Sequence, residues 1–420
     1  MIASVATSFP KTDRATGIVV TLLAVAVFIN YVDRGVIATA APLIKDALRL
    51  TNTQIGVLLS AFFWTYMPCQ LLAGWMAERT GAARVLALGL AVWASATVLT
   101  GLAGSFAILL CLRLLLGLGE SAFFPCSSKM LAEALPAHRL GGANGAIGAG
   151  VALGPAFGTL AGGLFMAHFG WRAVFILFGL ASLVWLWPWL ASVRRAQGDP
   201  APRSPPGPAP SFAAIARRRA AWGAALGHFC SNYALYLVVF WLPLYLVKGR
   251  GFSLVSMAEI GGLIYVVYAA AAMAVGWASD RWMAAGASAN RVRKTTMVAG
   301  NLGVAVCLLA CALGGPALAV GSLLATAVFM GFQSPMVFSI GQTLAGPGAA
   351  GKWVGFQNCV GNAAGIVGPL ITGWLIDRTG AYVWALATAA AVSLLGALAW
   401  GVLLPKVAVI DWNVASAGAD

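Results

Sequence analysis

Residues 74–84 read Gly-Trp-Met-Ala-Glu-Arg-Thr-Gly-Ala-Ala-Arg and form a short charged turn between two long apolar stretches. A near copy of its first part, Gly-Trp-Ala-Ser-Asp-Arg, stands at 276–281 in the second half of the chain. The dipeptide Gly154-Pro155 likewise recurs as Gly368-Pro369. Because such duplication is typical of transporters built from parallel repeats, the pattern predicts two related halves in a membrane protein.

The composition supports a membrane protein. Of 420 residues, 60% are hydrophobic and only 9% are charged, whereas soluble domains are about one quarter charged. Apolar stretches of about 15 to 22 residues recur along the whole chain, and this length suits membrane-crossing helices. A transmembrane β-barrel needs segments of alternating polarity, which this sequence lacks. The fold class predicted is therefore an all-α membrane protein with twelve transmembrane helices in two six-helix, pseudo-symmetric bundles.

We number these helices as spans 1 to 12. They are predicted at 17–42, 54–77, 83–103, 105–130, 141–167, 170–193, 220–247, 256–281, 292–314, 317–345, 351–376 and 380–404.

One segment interrupts the apolar pattern. Residues 194–219 contain six Arg and the run Pro-Arg-Ser-Pro-Pro-Gly-Pro-Ala-Pro, a composition typical of a linker. The sequence therefore predicts an N-terminal six-helix bundle at 1–193, a cytoplasmic linker at 194–219 and a C-terminal six-helix bundle at 220–420.

The net charge of +14 does not require a nucleic-acid partner. With both termini cytoplasmic, 18 Lys and Arg lie on the inner side, six lie in outer loops, and Arg34 and Arg113 lie within helices. This asymmetry follows the positive-inside rule and predicts a multi-pass protein of the cell (inner) membrane. Span 1 is too long and too charged for a cleaved signal peptide. The partners expected are the lipid bilayer, a small organic anion and protons, for a monomeric chain that binds no nucleic acid.

The turn at 74–84 resembles the signature loop of the major facilitator superfamily, Gly74-x-x-x-Glu78-Arg79-x-Gly81-x-x-Arg84, with Glu78 where that family usually has Asp. Other motifs resemble its anion:cation symporter family, which includes sugar-acid/proton symporters and the sialin-like and vesicular glutamate carriers. These motifs are Asn30-Tyr31-Val32-Asp33-Arg34, Tyr66, Arg113-x-x-x-Gly117-x-x-Glu120-x-x-x-x-Pro125 and Trp241-Leu-Pro243-x-Tyr245-Leu.

Four charged residues lie at mid-helix: Asp33 and Arg34 in span 1, and Arg113 and Glu120 in span 4. Each costs about 2.5–3.5 kcal/mol to insert, which suggests a use. Arg113 and Glu120 are two turns apart and share a face of span 4. One interpretation is that the four charges only pin two helices together. The other is that the Arg side chains bind an organic carboxylate while the acids take up protons.

The resemblance implies roles for these residues. Asp33 and Glu120 match the protonation-linked acids, Arg34 and Tyr66 match substrate contacts, and Arg113 matches the partner of the span 4 acid. Electrostatics gives the same coupling, because protonating either acid removes its repulsion of an incoming anion. Asn30 is a further candidate substrate contact in the same motif.

The second half has no comparable mid-helix charge, so its predicted contribution to the substrate site is neutral. Amides and phenols suit the hydroxyl groups of a polyol acid, although each amide alone is equally compatible with a hydrogen bond between packed helices. The candidates are Asn232, Tyr236, Gln342, Asn358 and Asn362.

Span 5 carries Gly150, Gly154, Gly158 and Gly162 at four-residue spacing, which predicts close helix packing. Part of this stripe also resembles a motif of proton-driven drug antiporters. Charged residues at the inner ends of the spans are predicted to gate access, because the resemblance implies that these loops latch the two halves together. The gating candidates are Gly74, Glu78, Arg79, Arg84, Asp280 and Arg281.

Three functions compete. The first is a secondary active carrier that imports an organic anion, a sugar acid, with protons. The alternative is a proton-coupled exporter of drugs or metabolites, which two buried Arg disfavour for cationic cargo. A membrane-embedded enzyme is the third, and no nucleophile, metal or cofactor motif supports it. The Cys and His residues have no metal-like spacing, so we expect no metal site and no cofactor other than protons as the coupling ion.

Overall fold

The computed structural model describes residues 13–50, 52–196 and 210–412. Within these residues the chain is helical and contains no β-strand. Eleven runs are long and apolar enough to cross a membrane, and one of them, Val57–Thr100, contains both span 2 and span 3. The prediction of an all-α membrane protein with twelve spans is thereby confirmed.

The observed helices extend most of the predicted spans by a few residues. The main helices are Asp13–Leu48 (span 1), Asn52–Met76 (span 2), Ala82–Thr100 (span 3), Phe106–Glu120 and Phe123–Ala134 (span 4), Leu140–Val184 and Leu186–Ala196 (spans 5 and 6), Phe212–Ala216 (linker), Arg219–Leu244 (span 7), Leu254–Ala284 (span 8), Ala289–Leu313 (span 9), Pro316–Ala345 (span 10), Ala350–Asn362 and Ala364–Thr379 (span 11), and Tyr382–Leu398 (span 12).

Local sequence explains where several helices begin and end. Ser105 begins span 4 by accepting a hydrogen bond from the Ile108 amide at 3.3 Å, and Ser253 and Ser288 begin spans 8 and 9 in the same way. Gly170 has φ +75° inside the continuous run of spans 5 and 6, so it marks the turn between them. Gly380 adopts the left-handed conformation that ends span 11.

The ladder of helical hydrogen bonds is interrupted in spans 4 and 11, although the backbone keeps helical dihedral angles there, and the sequence did not predict these interruptions. In span 4 the helix stops at Glu120 and resumes at Phe123. Pro125 explains this break, because it has no N–H to donate to the carbonyl group of Ser121 one turn earlier. In span 11 the helix is interrupted at Ala363, directly after Asn362. Both breaks therefore follow a candidate site residue.

The chain divides into two compact units. Of the described residues, unit 1 comprises 13–50, 52–135, 150–196, 210 and 345–359, and unit 2 comprises 136–149, 211–344 and 360–412. Unit 2 therefore includes the beginning of span 5, and unit 1 includes the beginning of span 11. The predicted division at 1–193, 194–219 and 220–420 stays a prediction, and residues 197–209 of the linker lie outside the described residues.

Unit 1 has an apolar core between spans 1, 4 and 6, with Val36 and Ile44 packed near Leu109, Trp171 and Phe175. In unit 2, spans 7, 9, 11 and 12 pack on one another. Outside these cores, large apolar side chains remain exposed, including Leu164 at 71% and Leu313 at 81%. A surface of this kind is costly in water and favourable in lipid, as expected of a membrane protein.

Candidate functional site

The four mid-helix charges lie together in unit 1. Arg34 donates a hydrogen bond from Nη2 to Oε2 of Glu120 at 3.3 Å, which joins span 1 to the end of the first half of span 4. Glu120 is fully buried, and the side chain of Arg34 is only 14% exposed. Asp33 and Arg113 are buried at 3% and 7% exposure, close enough to this pair to interact electrostatically with it. The predicted cluster of two acids and two Arg is therefore present in the fold.

The pairing within the cluster differs from the one that the resemblance implies. The resemblance assigns Arg113 as the partner of the span 4 acid, whereas the ion pair that the described residues form at Glu120 is with Arg34. Arg113 instead lies over the ring of Phe62 at 5.5 Å. The roles assigned to these residues in transport stay predictions.

Aromatic rings surround the guanidinium group of Arg34. Its Cζ atom lies 4.2 Å from the ring centre of Tyr31, 4.8 Å from that of Phe62 and 5.0 Å from that of Tyr66. Phe62 and Tyr66 are themselves stacked at 4.7 Å. Cation–π contacts stabilise a buried cation and fix the plane of its donor groups. The arrangement therefore presents an Arg that is oriented for a planar carboxylate.

Asp33 receives a hydrogen bond that the sequence analysis missed. The hydroxyl group of Thr97 in span 3 donates to Oδ2 of Asp33 at 3.1 Å, and it also lies 3.0 Å from the carbonyl oxygen of Trp93. A Thr within an apolar span is a weak signal, because it often bonds only to its own helix. Here it connects span 3 to the acid on span 1.

The glycine stripe of span 5 lies against span 1, as the packing prediction required. A Cβ atom added at Gly154 would meet the carbonyl oxygen of Phe28 at 2.7 Å, and one at Gly150 would meet that of Ala24 at 2.8 Å. At Gly158 the same atom would overlap the carbonyl oxygen of Val32. Only glycine allows this approach of two backbones. The contact fixes the position of the segment that carries Asn30, Asp33 and Arg34.

Asn30 lies beside the carboxyl group of Glu120, but its amide makes no hydrogen bond of acceptable geometry within the described residues. It is 1% exposed, and Tyr66 is equally buried. Both candidates therefore belong to the charged cluster, in agreement with their place in the motifs of spans 1 and 2.

Three of the neutral candidates come together in unit 2. The Tyr236 hydroxyl donates to Oδ1 of Asn362 at 2.5 Å, and the amide of Asn232 donates to the carbonyl oxygen of Gly361 at 3.1 Å. Asn358 belongs to unit 1 and is buried there at 2% exposure. Spans 7 and 11 thus share a polar face at the interruption of span 11, with Tyr236 and Asn362 buried and Asn232 partly buried.

Gln342 lies in a different environment from these three residues. Its Oε1 atom accepts a hydrogen bond from Asn144 at 2.7 Å, one turn before the inner end of span 10. Asn144 also bonds to Ser339 at 3.2 Å, and the neighbouring Arg293 donates to the carbonyl oxygen of Ser339 at 2.6 Å. These contacts give Gln342 the helix-packing hydrogen bond that the sequence analysis weighed against substrate binding.

Of the gating candidates in unit 1, Glu78 has the most contacts. Its carboxylate accepts hydrogen bonds from Lys129 Nζ at 2.6 Å and from the backbone N–H of Gly351 at 3.1 Å. Gly74 lies against the backbone at Gly351, so a Cβ atom there would be 2.6 Å from its carbonyl oxygen. Arg79 and Arg84 are exposed. Lys129, buried at 6% exposure, was missed because it resembles a topology signal.

In unit 2, Asp280 makes a contact similar to that of Glu78, in which a carboxylate accepts hydrogen bonds from backbone N–H groups. The Asp280 carboxylate accepts hydrogen bonds from the backbone N–H groups of Gly141 and Gly142, at 3.0 and 2.6 Å, near the N-terminus of span 5. A carboxylate in this position satisfies N–H groups that have no partner within the helix. Arg281 is exposed and lies over the ring of Trp277 at 4.5 Å.

Comparisons with known proteins assign the chain to a family. The family description "Major Facilitator Superfamily" matches residues 23–289, more than half of the chain. A probable sulfoacetate transporter of Cupriavidus necator is 31% identical over 84% of this chain and 86% of its own length. The hexuronate transporter of Bacillus subtilis is 28% identical over 91% and 93%.

Among solved structures, the proton:xylose symporter bound to 6-bromo-6-deoxy-D-glucose superposes with a TM-score of 0.72 at 15% identity, over 94% of this chain and 97% of that one. This similarity establishes the two-bundle fold. The relatives are anion and sugar-acid transporters, consistent with the anion:cation symporter family. The chain is a multi-pass membrane transporter and belongs to the Major Facilitator Superfamily.

Proposed function

We propose that the chain is a proton-coupled symporter of an organic anion, a sugar acid of the aldonate, uronate or aldarate type, which works by alternating access. The observation that carries the proposal is the buried pair of Arg34 and Glu120 inside a ring of aromatic side chains. Relatives named for hexuronate and sulfoacetate support an anionic cargo.

The charge balance of the four-residue cluster explains how proton binding and anion binding are coupled. With Asp33 and Glu120 ionised, the two acids cancel the charges of Arg34 and Arg113, and the cluster is neutral. A bound monoanion leaves one uncompensated negative charge in a buried site, and uptake of one proton by either acid restores neutrality. An anion that binds Arg34 also competes with Glu120 for that guanidinium group. Proton and anion therefore favour each other's binding by a reciprocal coupling.

Alternating access then follows if the inner contacts of Glu78 and Asp280 open and close during transport. Both carboxylates hold the N-terminal end of a span, Glu78 through Gly351 and Asp280 through Gly141 and Gly142. Such contacts are reversible, because each is a small set of hydrogen bonds at a helix end. The carrier would lie in the cell (inner) membrane with both termini cytoplasmic.

An exporter of drugs or metabolites is the alternative. The feature that favoured it, the Gly150–Gly158 part of the stripe, lies in backbone contact with span 1. Packing accounts for these glycines without an export mechanism. A cationic drug would also meet Arg34 and Arg113 in the site, at a high electrostatic cost.

The test is uptake by purified protein in liposomes. Labelled gluconate, glucuronate and galactarate are offered with and without an imposed pH gradient, and a protonophore serves as the control. We expect accumulation of at least one acid above its equilibrium level only while the gradient lasts. Gradient-independent uptake of every acid would contradict symport, and gradient-driven exchange of a lipophilic cation instead would favour the exporter.

A further inference from the structure

Gln70 is a buried amide in span 2 that makes no hydrogen bond to any described residue. Its side chain is 0% exposed, and neither its Oε1 nor its Nε2 atom has a partner. Nearly all buried side-chain amides are satisfied, since an unsatisfied polar group costs about 1–3 kcal/mol. The position of Gln70 therefore calls for a partner that binds there.

The location of Gln70 relates it to the charged cluster. It lies one turn after Tyr66 on the same face of span 2, and Tyr66 contacts Arg34. Helical side chains lean toward the N-terminus of their helix, which for Gln70 is the direction of Tyr66. On its other side, one turn further along span 2, Gly74 contacts the backbone at Gly351. The backbone of Gln70 is itself part of this close contact, since a Cβ atom added at Gly355 would lie 2.5 Å from the Gln70 carbonyl oxygen. Gln70 thus lies where span 2 packs against span 11, one turn from the Arg34 cluster.

A second unsatisfied amide belongs to the same unit. Asn30 is 1% exposed and lies one turn before Arg34 on span 1, close enough to Glu120 to interact with its carboxyl group, but its amide makes no hydrogen bond of acceptable geometry within the described residues. Span 1 and span 2 are adjacent and contact each other. Two buried amides on adjacent helices therefore each lie one turn from a residue of the Arg34 cluster, Asn30 from Arg34 and Gln70 from Tyr66.

Other buried amides show what packing alone produces. Gln357, also 0% exposed and in unit 1, accepts a hydrogen bond from Trp353 Nε1 at 3.0 Å. Gln342 is held by Asn144 at 2.7 Å. In both cases the amide has a protein partner. Gln70 departs from this behaviour, as does the buried Nε2 atom of Gln333 in unit 2, and what distinguishes Gln70 is its place one turn from Tyr66.

We propose that Gln70, with Asn30, binds hydroxyl groups of the substrate next to the carboxylate held by Arg34, so that the carrier selects hydroxylated acids over acids of equal length and charge without hydroxyls. The inference rests on the proposed function of the Arg34 cluster and specifies its substrate class. An amide both donates and accepts, as a hydroxyl group does, so each hydroxyl can satisfy both atoms. An acid without hydroxyls leaves these amides unsatisfied and is rejected.

The experiment compares Gln70→Met with Gln357→Met, a matched change of a fully buried Gln in the same unit. Binding to detergent-solubilised protein is measured by calorimetry for gluconate against hexanoate and for galactarate against adipate. The members of each pair share carbon number and charge and differ in their hydroxyl groups. The melting temperature of each variant is measured alongside.

For Gln70→Met we expect the preference for the hydroxylated acid to fall about tenfold, because a hydrogen bond to substrate is lost. The affinity for the acid without hydroxyls should stay the same. The melting temperature should stay the same or rise, since the variant removes an unsatisfied amide. Gln357→Met should keep the preference and melt at a lower temperature, because Trp353 Nε1 loses its acceptor. Gln70→Asn, which keeps an amide, should retain more of the preference than Gln70→Met.

An unchanged preference in Gln70→Met overturns the inference and leaves the proposed function intact. A Gln70→Met protein that cannot be purified folded, or that melts lower and loses affinity for both acids, also overturns it, because Gln70 would then be structural. Equal affinity of the wild type for both members of each pair also overturns the inference, because the carrier would then not select for hydroxyl groups. Binding of none of the four acids by the wild type would instead contradict the proposed function itself.

Discussion

Arg34 and Glu120 are 86 residues apart in sequence and form a direct ion pair, Nη2 to Oε2 at 3.3 Å. Glu120 is the last residue of the first half of span 4, where the helix stops because Pro125 cannot complete the next turn. The acid is therefore presented at a helix break, facing the Arg that we expect to bind substrate. Its ionisation and the occupancy of Arg34 are linked through one contact.

Glu120→Gln should separate binding from coupling. The amide mimics the protonated acid, so Arg34 is released for the anion and no proton can be exchanged at this position. We expect substrate counterflow across the liposome membrane to persist while accumulation driven by a pH gradient is lost. Glu259→Gln, a change at an exposed acid, should leave both activities intact. Full gradient-driven uptake by Glu120→Gln would remove Glu120 from the coupling mechanism.

Arg34→Ala should abolish substrate binding. The substitution leaves Glu120 without its partner and the substrate carboxylate without its cation, at a cost of about 3–5 kcal/mol. Arg34→Lys keeps the charge but not the planar donors that lie over the rings of Tyr31 and Tyr66, so we expect weakened binding. The control is Arg172→Ala, an exposed Arg stacked on Trp171 at 4.3 Å. Calorimetry or ligand-induced thermal shift measures all three, and wild-type affinity in Arg34→Ala would exclude Arg34 from the site.

We expect the carrier to recognise its substrate by the negative charge of a carboxylate. An aldonate or uronate should compete for uptake of the labelled substrate, and the parent neutral sugar should not. A sugar without a carboxylate cannot form charge-assisted hydrogen bonds with Arg34 and therefore loses several kcal/mol of binding. Competition at saturating glucose against glucuronate measures this directly. Equal inhibition by both compounds would mean that Arg34 and Arg113 have a structural role and do not bind the substrate carboxylate.

Gly74→Ala should slow transport with little effect on binding. The added Cβ atom would lie 2.6 Å from the carbonyl oxygen of Gly351, which forces the helices apart where Glu78 bonds to the Gly351 N–H. Gly262→Ala is the matched control in span 8, where no heavy atom lies within 4 Å of the added carbon. We expect an initial uptake rate reduced at least several-fold for Gly74→Ala and unchanged for Gly262→Ala. Unchanged uptake in both variants would show that the close contact at Gly74 has no part in gating.

The sequence predicted the charged cluster because ionisable groups are rare in apolar spans. Asp33, Arg34, Arg113 and Glu120 are distinct from the residues around them, and their spacing along each helix fixes their faces. The partner of Glu120 was not predictable, since it depends on how span 1 is rotated about its own axis. That rotation is set by contacts with the glycine stripe of span 5. The sequence of span 1 alone does not indicate these contacts.

Neutral residues were predicted less well than charged ones. An amide in an apolar helix has the same appearance in sequence whether it binds substrate or another helix, so Gln342 was grouped with Asn232, Tyr236 and Asn362. Gln70 was missed for the converse reason. Its signal was its place one turn from Tyr66, and its importance becomes visible only when that place is combined with its lack of a protein partner.

The backbone contact between spans 1 and 5 has a consequence for how such a carrier can change its cargo during evolution. Gly154 and Gly158 hold span 1 by main-chain contacts, so the positions of Asp33 and Arg34 do not depend on the side chains around the substrate. A residue such as Gln70, which forms no hydrogen bond with these groups, can therefore be replaced without moving them. Under the proposed function, selectivity and energy coupling are therefore separable traits, and one scaffold can acquire new organic acids while the positions of its acid and Arg side chains stay fixed.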